Sequence, residues 1–242
     1  MPERQKLLIV GDSISLGVAE LRVSEIAGHV RPVYTDILRS EMTNIDIHVD
    51  ADIHRTTGNA LGILDSLFGT HHPEVALIML GGNDVDVEWR RFVISSGRIV
   101  RNRVPVETYA ENLEAIARKA HAAGIWPVLT DMPNHYLAVR GPYLSALSGK
   151  DVTAMIAATG GQERSDAGLQ VYREAAAQVA GRVGCSFVDY GRTLHEQPLA
   201  TMSGIDGVHP SAEAHQIIAA RLAPVLRELL APGRVPLKRM PA

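Results

Sequence analysis

A chain of 242 residues, 46% of them hydrophobic and 21% charged, carries enough apolar surface for a sizeable core and suits one large domain or two small ones. Its net charge of −3 gives no electrostatic case for nucleic acid or an anionic membrane as a partner. A single cysteine, Cys185, rules out an intramolecular disulfide and a cysteine metal cluster, and the apolar run after it suits a buried, inert thiol.

The first apolar run, Leu7–Val10, has only four consecutive apolar residues. A secretory leader needs an apolar region of roughly 7–15, and no run approaches the ~20 that would span a bilayer. These residues therefore read as a cytoplasmic protein, or as one exported by a leader outside them. Short runs rich in Val, Ile and Leu follow at Ile45–Val49, Val75–Leu80, Trp126–Leu129 and Ser186–Val188, each bounded by Gly, Asp or Pro, the pattern of strands buried on both faces. Helical patterns lie between them: Val33–Met42 behind Pro32, Asn59–Phe68, the stretch from Pro105 to Gly124 with Tyr109, Leu113, Ile116, Ala117 and Ala120 on one stripe, then 164–183 and 211–230. A further helix is expected to begin near Ser15. Strand and helix alternating five times predict an α/β fold with a central parallel five-stranded sheet and helices on both faces, as a single domain over 1–231. The tail 232–242 reads as a poorly ordered extension or as a segment that docks on a neighbouring subunit, so homo-oligomerisation stays open. Val85–Pro105 and Pro133–Gln162 are less regular, as lids or binding walls are.

Ligands of such sheets bind outside the carboxyl ends of the strands. After the first strand comes Gly11-Asp12-Ser13, after the third Gly81-Gly82-Asn83-Asp84, and before the last helix Asp206-Gly207-Val208-His209. Serine is a weak nucleophile unless a base takes its proton. His209 is suited to be that base, with Asp206 orienting its imidazole. The Asn83 side chain and the Ser13 N–H, the latter at the start of the expected helix, are candidate donors to a developing oxyanion.

The blocks GDSIS, GGND and DGVHP, in that order and each next to a strand or before the last helix, resemble the SGNH or GDSL superfamily of serine hydrolases across most of the chain. The resemblance implies a three-layer α/β/α sandwich of flavodoxin type. It also implies Ser13 as nucleophile, His209 as base, Asp206 as its orienting acid, and the Ser13 N–H with the Asn83 side chain in the oxyanion hole. The family's second block usually has a glycine that donates a backbone N–H. Here the stretch is IHRTTGNALG, and matching it to members with Arg-Thr-Thr puts His54 at the donor position, with Gly58 the alternative in another register.

The remaining candidates have plainer readings. Asp12 and Asp84 organise turns. Asp50, Asp52 and His54 alternate near a strand end and invite a metal reading, but no paired site exists elsewhere, so a solvated strand end is the simpler account. His71 and His72 read as a surface turn, and His215 as a helix-face residue. Trp89, with Arg90 and Arg91, is balanced between a pocket wall and an exposed loop, and HYLAVRGPYLSALSG within the 133–162 segment is the best candidate for substrate contacts. The expected activity is hydrolysis of a small-molecule carboxylic ester through an acyl-enzyme, with no metal or organic cofactor required. Only three Phe and two Trp favour small or polar substrates. A thioesterase, carbohydrate deacetylase or acyltransferase would use the same groups. A non-catalytic anion-binding module is a remote alternative, since no lysine follows Gly17 as a phosphate loop requires.

Overall fold

The computed structural model describes residues 4–22, 25–198 and 203–231; the tail 232–242 lies outside them. The five apolar runs form one parallel sheet. Its strands are β1 (Lys6–Gly11), β4 (Asp46–Ala51), β5 (Val75–Met79), β6 (Trp126–Thr130) and β7 (Ser186–Val188), in the spatial order β4-β1-β5-β6-β7. That is the order 2-1-3-4-5 among the sheet's own strands, the flavodoxin arrangement, whose switch point lies between β1 and β5. Registers pair Leu7 with Ile47 on one side and with Val75 on the other.

The apolar residues of β1 divide by parity because successive side chains point to opposite faces. Leu7 and Ile9 pack with α1 (Tyr34–Glu41) and α10 (Ala212–Leu229) through Tyr34, Leu38, Ile218 and Leu222. Leu8 and Val10 pack with α2 (Thr57–His71), α5 (Val106–Ala122) and α8 (Gly161–Val183) through Leu64, Leu113, Ile116 and Leu169. All four β1 residues are fully buried. At ~1.5–3 kcal/mol for each buried side chain, this two-sided burial fixes β1 firmly, and Ser13 lies just beyond its carboxyl end. Among the described residues, no helix is long and apolar enough to cross a membrane.

Two expectations are corrected. No helix begins near Ser15. Residues 12–17 make tight turns, with the Ser15 N–H donating to the Asp12 carbonyl and the Val18 N–H to the Ser13 carbonyl, and Gly17 at φ +71° redirects the chain. It enters a small antiparallel pair, β2 (Val18–Arg22) with β3 (Glu25–His29). Ser13 therefore sits in a turn and receives no helix dipole. The two irregular segments are also partly helical: the first holds α4 (Trp89–Ile94), with α3 (Gly82–Val85) at its edge, and the second holds α6 (Leu137–Ser148) and α7 (Val152–Ala158), while α9 (Tyr190–His195) follows β7. These helices are short, and α6 contains Pro142, so no long apolar stripe marks them in the sequence. Phe92, Val152 and Ile156 bury a small apolar cluster of their own away from the sheet.

Candidate active site

The turn after β1, the loop after β5 and the turn before α10 converge at the carboxyl end of the sheet. The Ser13 hydroxyl lies 2.9 Å from His209 Nε2, and His209 Nδ1 lies 2.6 Å from Asp206 Oδ2. Asp206 is reached by folding the chain back on itself. Its Oδ1 accepts the Val208 and His209 N–H groups at 3.0 Å, and Gly207 takes φ +75° in the turn between. A β-carbon on Gly207 would press on the Arg140 N and the Tyr136 carbonyl, so the turn needs glycine there. Ser13, Asp206 and His209 are buried at 6%, 0% and 4% exposure, so they form one hydrogen-bonded line with little competition from solvent.

The carboxyl of Asp206 is held well below the usual carboxylate range. Burial alone would raise it, but the hydrogen bond and charge of His209 together with the two backbone N–H groups outweigh that effect. An ionised Asp206 thus faces Nδ1, and its acceptor oxygen requires the proton there, which leaves Nε2 as the acceptor toward Ser13.

Asn83 projects from α3 into the same cleft. Its Nδ2 donates to the Arg55 carbonyl at 3.2 Å and to Asp12 Oδ2 at 3.3 Å, and two oxygen acceptors fix which end of the amide faces inward. Asp12 also accepts the Ile14 N–H at 2.9 Å and so holds the turn that presents Ser13. Burial raises the Asp12 carboxyl to about 6, against the pull of that N–H. Arg55 clamps the strand ends through Asp50, donating to its carbonyl at 2.8 Å and pairing with its carboxylate.

His54 lines the cleft beside Ser13 and Asn83 and has a left-handed backbone, φ +62°. Gly58 does not line it; it is exposed in the first turn of α2. Asp84 organises more than its own loop: fully buried, it accepts both the N–H and the hydroxyl of Thr57 and so anchors the start of α2. Asp50 is engaged by Arg55, His54 lies beyond the end of β4, and no group of three or more His, Cys, Asp or Glu among the described residues could hold a metal ion. His215 lies on the inward face of its helix, where it is fully buried and stacks on Tyr34. Cys185 is half-buried and burial pushes its thiol up to about 12.

Four residues that the sequence did not single out complete the cleft. Arg140 reaches the Asp206 carbonyl at 3.3 Å and lies over the Trp89 and Tyr143 rings. Arg103 pairs with Asp86 at 3.2 Å, and His135 lies 3.7 Å from the same carboxylate. His135 and Arg140 fall within the stretch expected to touch substrate; Asp86 and Arg103 carry no local pattern that marks them.

A buried serine, histidine and aspartate at the switch point of a flavodoxin-ordered sheet define the class of protein. The chain belongs to the GDSL-like lipase/acylhydrolase family, whose pattern matches residues 9–217. Its fold is shared with the lipase/acylhydrolase from Enterococcus faecalis, at a TM-score of 0.68 and 18% identity over 96% of this chain and 100% of that one. It is similar to the psychrotrophic esterase EstA from Pseudoalteromonas sp., solved inhibited by monoethylphosphonate, at 0.61 and 18% over 93% and 98%. A catalytic mutant of Axe2, an acetylxylan esterase from Geobacillus stearothermophilus, matches at 0.60 and 18% over 94% of both chains. No curated protein sequence matches this chain.

Proposed function

We propose that this protein is a serine esterase that cleaves carboxylic esters through an acyl-enzyme on Ser13. The observation that carries the reading is the continuous line from Ser13 Oγ through His209 to Asp206, at 2.9 and 2.6 Å. His209 Nε2 takes the hydroxyl proton as Ser13 Oγ attacks the ester carbonyl. Asp206 holds the imidazole in the needed tautomer and stabilises the cation that forms. The negative charge on the carbonyl oxygen is met by the Ser13 N–H, the His54 N–H and the Asn83 side-chain amide. The Asn83 contacts to Asp12 and Arg55 are long enough to yield one N–H to that stronger acceptor. His209 then protonates the leaving alcohol, and water activated by the same imidazole releases the acid.

Family membership and the three structural relatives support acyl transfer to water. The test is a fluorophosphonate probe with the adduct located by peptide mass. The expected result is labelling of Ser13 that His209→Ala abolishes; a folded protein that remains unlabelled overturns the reading. A panel of oxygen esters, thioesters and acetylated sugars then assigns the substrate. Turnover of thioesters or acetylated sugars alone would make the protein a thioesterase or a carbohydrate deacetylase, and transfer to an added alcohol in preference to water an acyltransferase.

A further inference from the structure

The carboxylates that line the cleft at Ser13 are all engaged by the protein itself. Asp12 accepts the Ile14 N–H on one oxygen and the Asn83 amide on the other. Asp206 accepts the Val208 and His209 N–H groups on one oxygen and faces the His209 imidazole with the other. Asp86 accepts the Val87 N–H and the Trp89 indole N–H on one oxygen and the Arg103 guanidinium on the other. Each carboxylate oxygen of the cleft therefore already has a donor.

Donors, by contrast, are in surplus. Arg140 on α6 lines the same cleft and keeps 13% of its side chain exposed. Its guanidinium makes one hydrogen bond among the described residues, from Nη1 to the Asp206 carbonyl at 3.3 Å. Nε is buried without an acceptor, and Nη2 finds none among the described residues. A guanidinium has five N–H groups to place, so most of the capacity of this one is unused. The Trp89 and Tyr143 rings, 5.8 and 5.7 Å from its central carbon, hold it where it is. N–H groups left without acceptors in a buried place are costly, and an oxygen brought by a ligand offsets that cost.

The position of Arg140 says which part of an ester it meets. Asn83 bonds the Arg55 carbonyl and Asp12, beside the ends of β4 and β1, whereas Arg140 bonds Asp206 and so lies on the His209 side of Ser13. The leaving alcohol departs on that side, because His209 Nε2 protonates it. The Asp206 carboxylate, 3.8 Å from Nη1, balances the guanidinium charge in the resting site. Once His209 holds the serine proton, Asp206 answers an imidazolium, and the charge of Arg140 is left for an anion to meet. The cleft encloses about 40 Å³, so that anion lies within a few bonds of the ester oxygen.

We propose that Arg140 binds an anionic group of the substrate, and that the preferred substrates are esters whose alcohol carries a carboxylate or a phosphate near the scissile bond. This rests on the esterase reading of Ser13 and narrows the expectation of small or polar substrates to anionic ones.

The test compares 2-methoxyethyl acetate, acetoxyacetate and 2-acetoxyethyl phosphate, whose alcohols are neutral, carboxylate-bearing and phosphate-bearing. Wild type is expected to favour an anionic ester over the neutral one in kcat/KM by about tenfold or more, the effect of one charge-assisted hydrogen bond. Whichever anion is favoured identifies the group. Arg140→Met keeps a long side chain without its charge and is expected to bring that ratio to about one. Any loss from the missing Asp206 contact strikes all the esters and leaves the ratio untouched. High salt is expected to lower the wild-type ratio too, a readout that stands even if Arg140→Met does not fold. A wild-type ratio at or below one, or a ratio that neither salt nor Arg140→Met changes, overturns the proposal, while hydrolysis of the neutral ester keeps the esterase. If no ester is hydrolysed, calorimetric binding of 2-acetoxyethyl phosphate to Ser13→Ala decides. Saturable binding that Arg140→Met removes supports the anion site; binding that is absent, or that survives Arg140→Met, overturns it.

Discussion

The cleft at Ser13 and the apolar cavity lined by Trp89, Phe92 and Leu137 share His135 but are made by different parts of the chain. The cleft is assembled from the ends of β1, β4, β5 and β6 and the turn before α10, and of these strands β1, β5 and β6 are buried on both faces. The cavity is assembled mainly from α4, α6, α7 and α8, of which the first three are short and rest on the small Phe92, Val152 and Ile156 cluster. Rigid strand ends hold the reacting groups to within hydrogen-bonding distance, which chemistry demands. Of the accessory helices, α6 also carries Arg140 to the cleft, where it selects the alcohol of the substrate. Chemistry and preference for an anionic alcohol should therefore respond to different substitutions.

Ser13→Ala is the sharpest way to break that separation. Turnover of every ester should fall by at least about 10⁴-fold, anionic and neutral alike, with Tm unchanged by thermal melting. A loss that depends on the charge of the alcohol would mean that Arg140 takes part in the chemical step. Asn83→Ala should lower kcat by about 10²–10³-fold whatever the charge of the alcohol, as loss of one oxyanion donor does, read in steady-state kinetics.

His215 lies outside both spaces and tests their common support. Burial, with the charge of His209 adding, pushes its imidazole down to about 4, against about 6.5 in the unfolded chain. The unfolded state therefore binds its proton first on acidification. The His215 contribution is complete above pH 6.5 and is lost as pH falls toward 4. Comparing wild type with His215→Gln by denaturant melts, the wild type should lose about 2–3 kcal/mol relative to the variant across that window. The subtraction cancels Asp12, whose raised carboxyl acts in the opposite sense between about 4 and 6. A difference that does not vary with pH would mean that His215 is not held neutral by the core.

The smallest effect concerns His54. A left-handed backbone costs a non-glycine residue about 1 kcal/mol, so His54→Gly should raise stability by up to that amount while changing KM for acetate esters more than Tm. His54→Ala should keep the strain and lose the imidazole, giving the KM change without the gain. Equal Tm values for the two variants would show that the turn carries no such strain.

The five parallel strands, the helices α1, α2, α5, α8 and α10 and the order of the three motif blocks are plain in the chain, because buried strands and amphipathic helices write periodicity into sequence. The β2–β3 pair is not: Val18-Ala19-Glu20-Leu21 is too short to separate strand from helix, and Gly17 decides the matter by its backbone. The rule of looking just after each strand found Ser13 and Asn83, yet it applies equally to Asp131, whose carboxylate accepts the Gly191 and Arg192 N–H groups to start α9. An aspartate after a strand looks the same in sequence whether it holds a turn or works on a substrate.

Sequence by itself determined the sheet, its helices and the residue types at the site, since each depends on local pattern or on motifs a few residues long. Tertiary structure decided the rest. It brought residues 196 positions apart to 2.9 Å, placed His54 rather than Gly58 in the cleft, and gathered Asp86, Arg103, His135 and Arg140 around it. Distances between segments and the empty volume they leave depend on how the elements pack, and no periodicity along the chain records that.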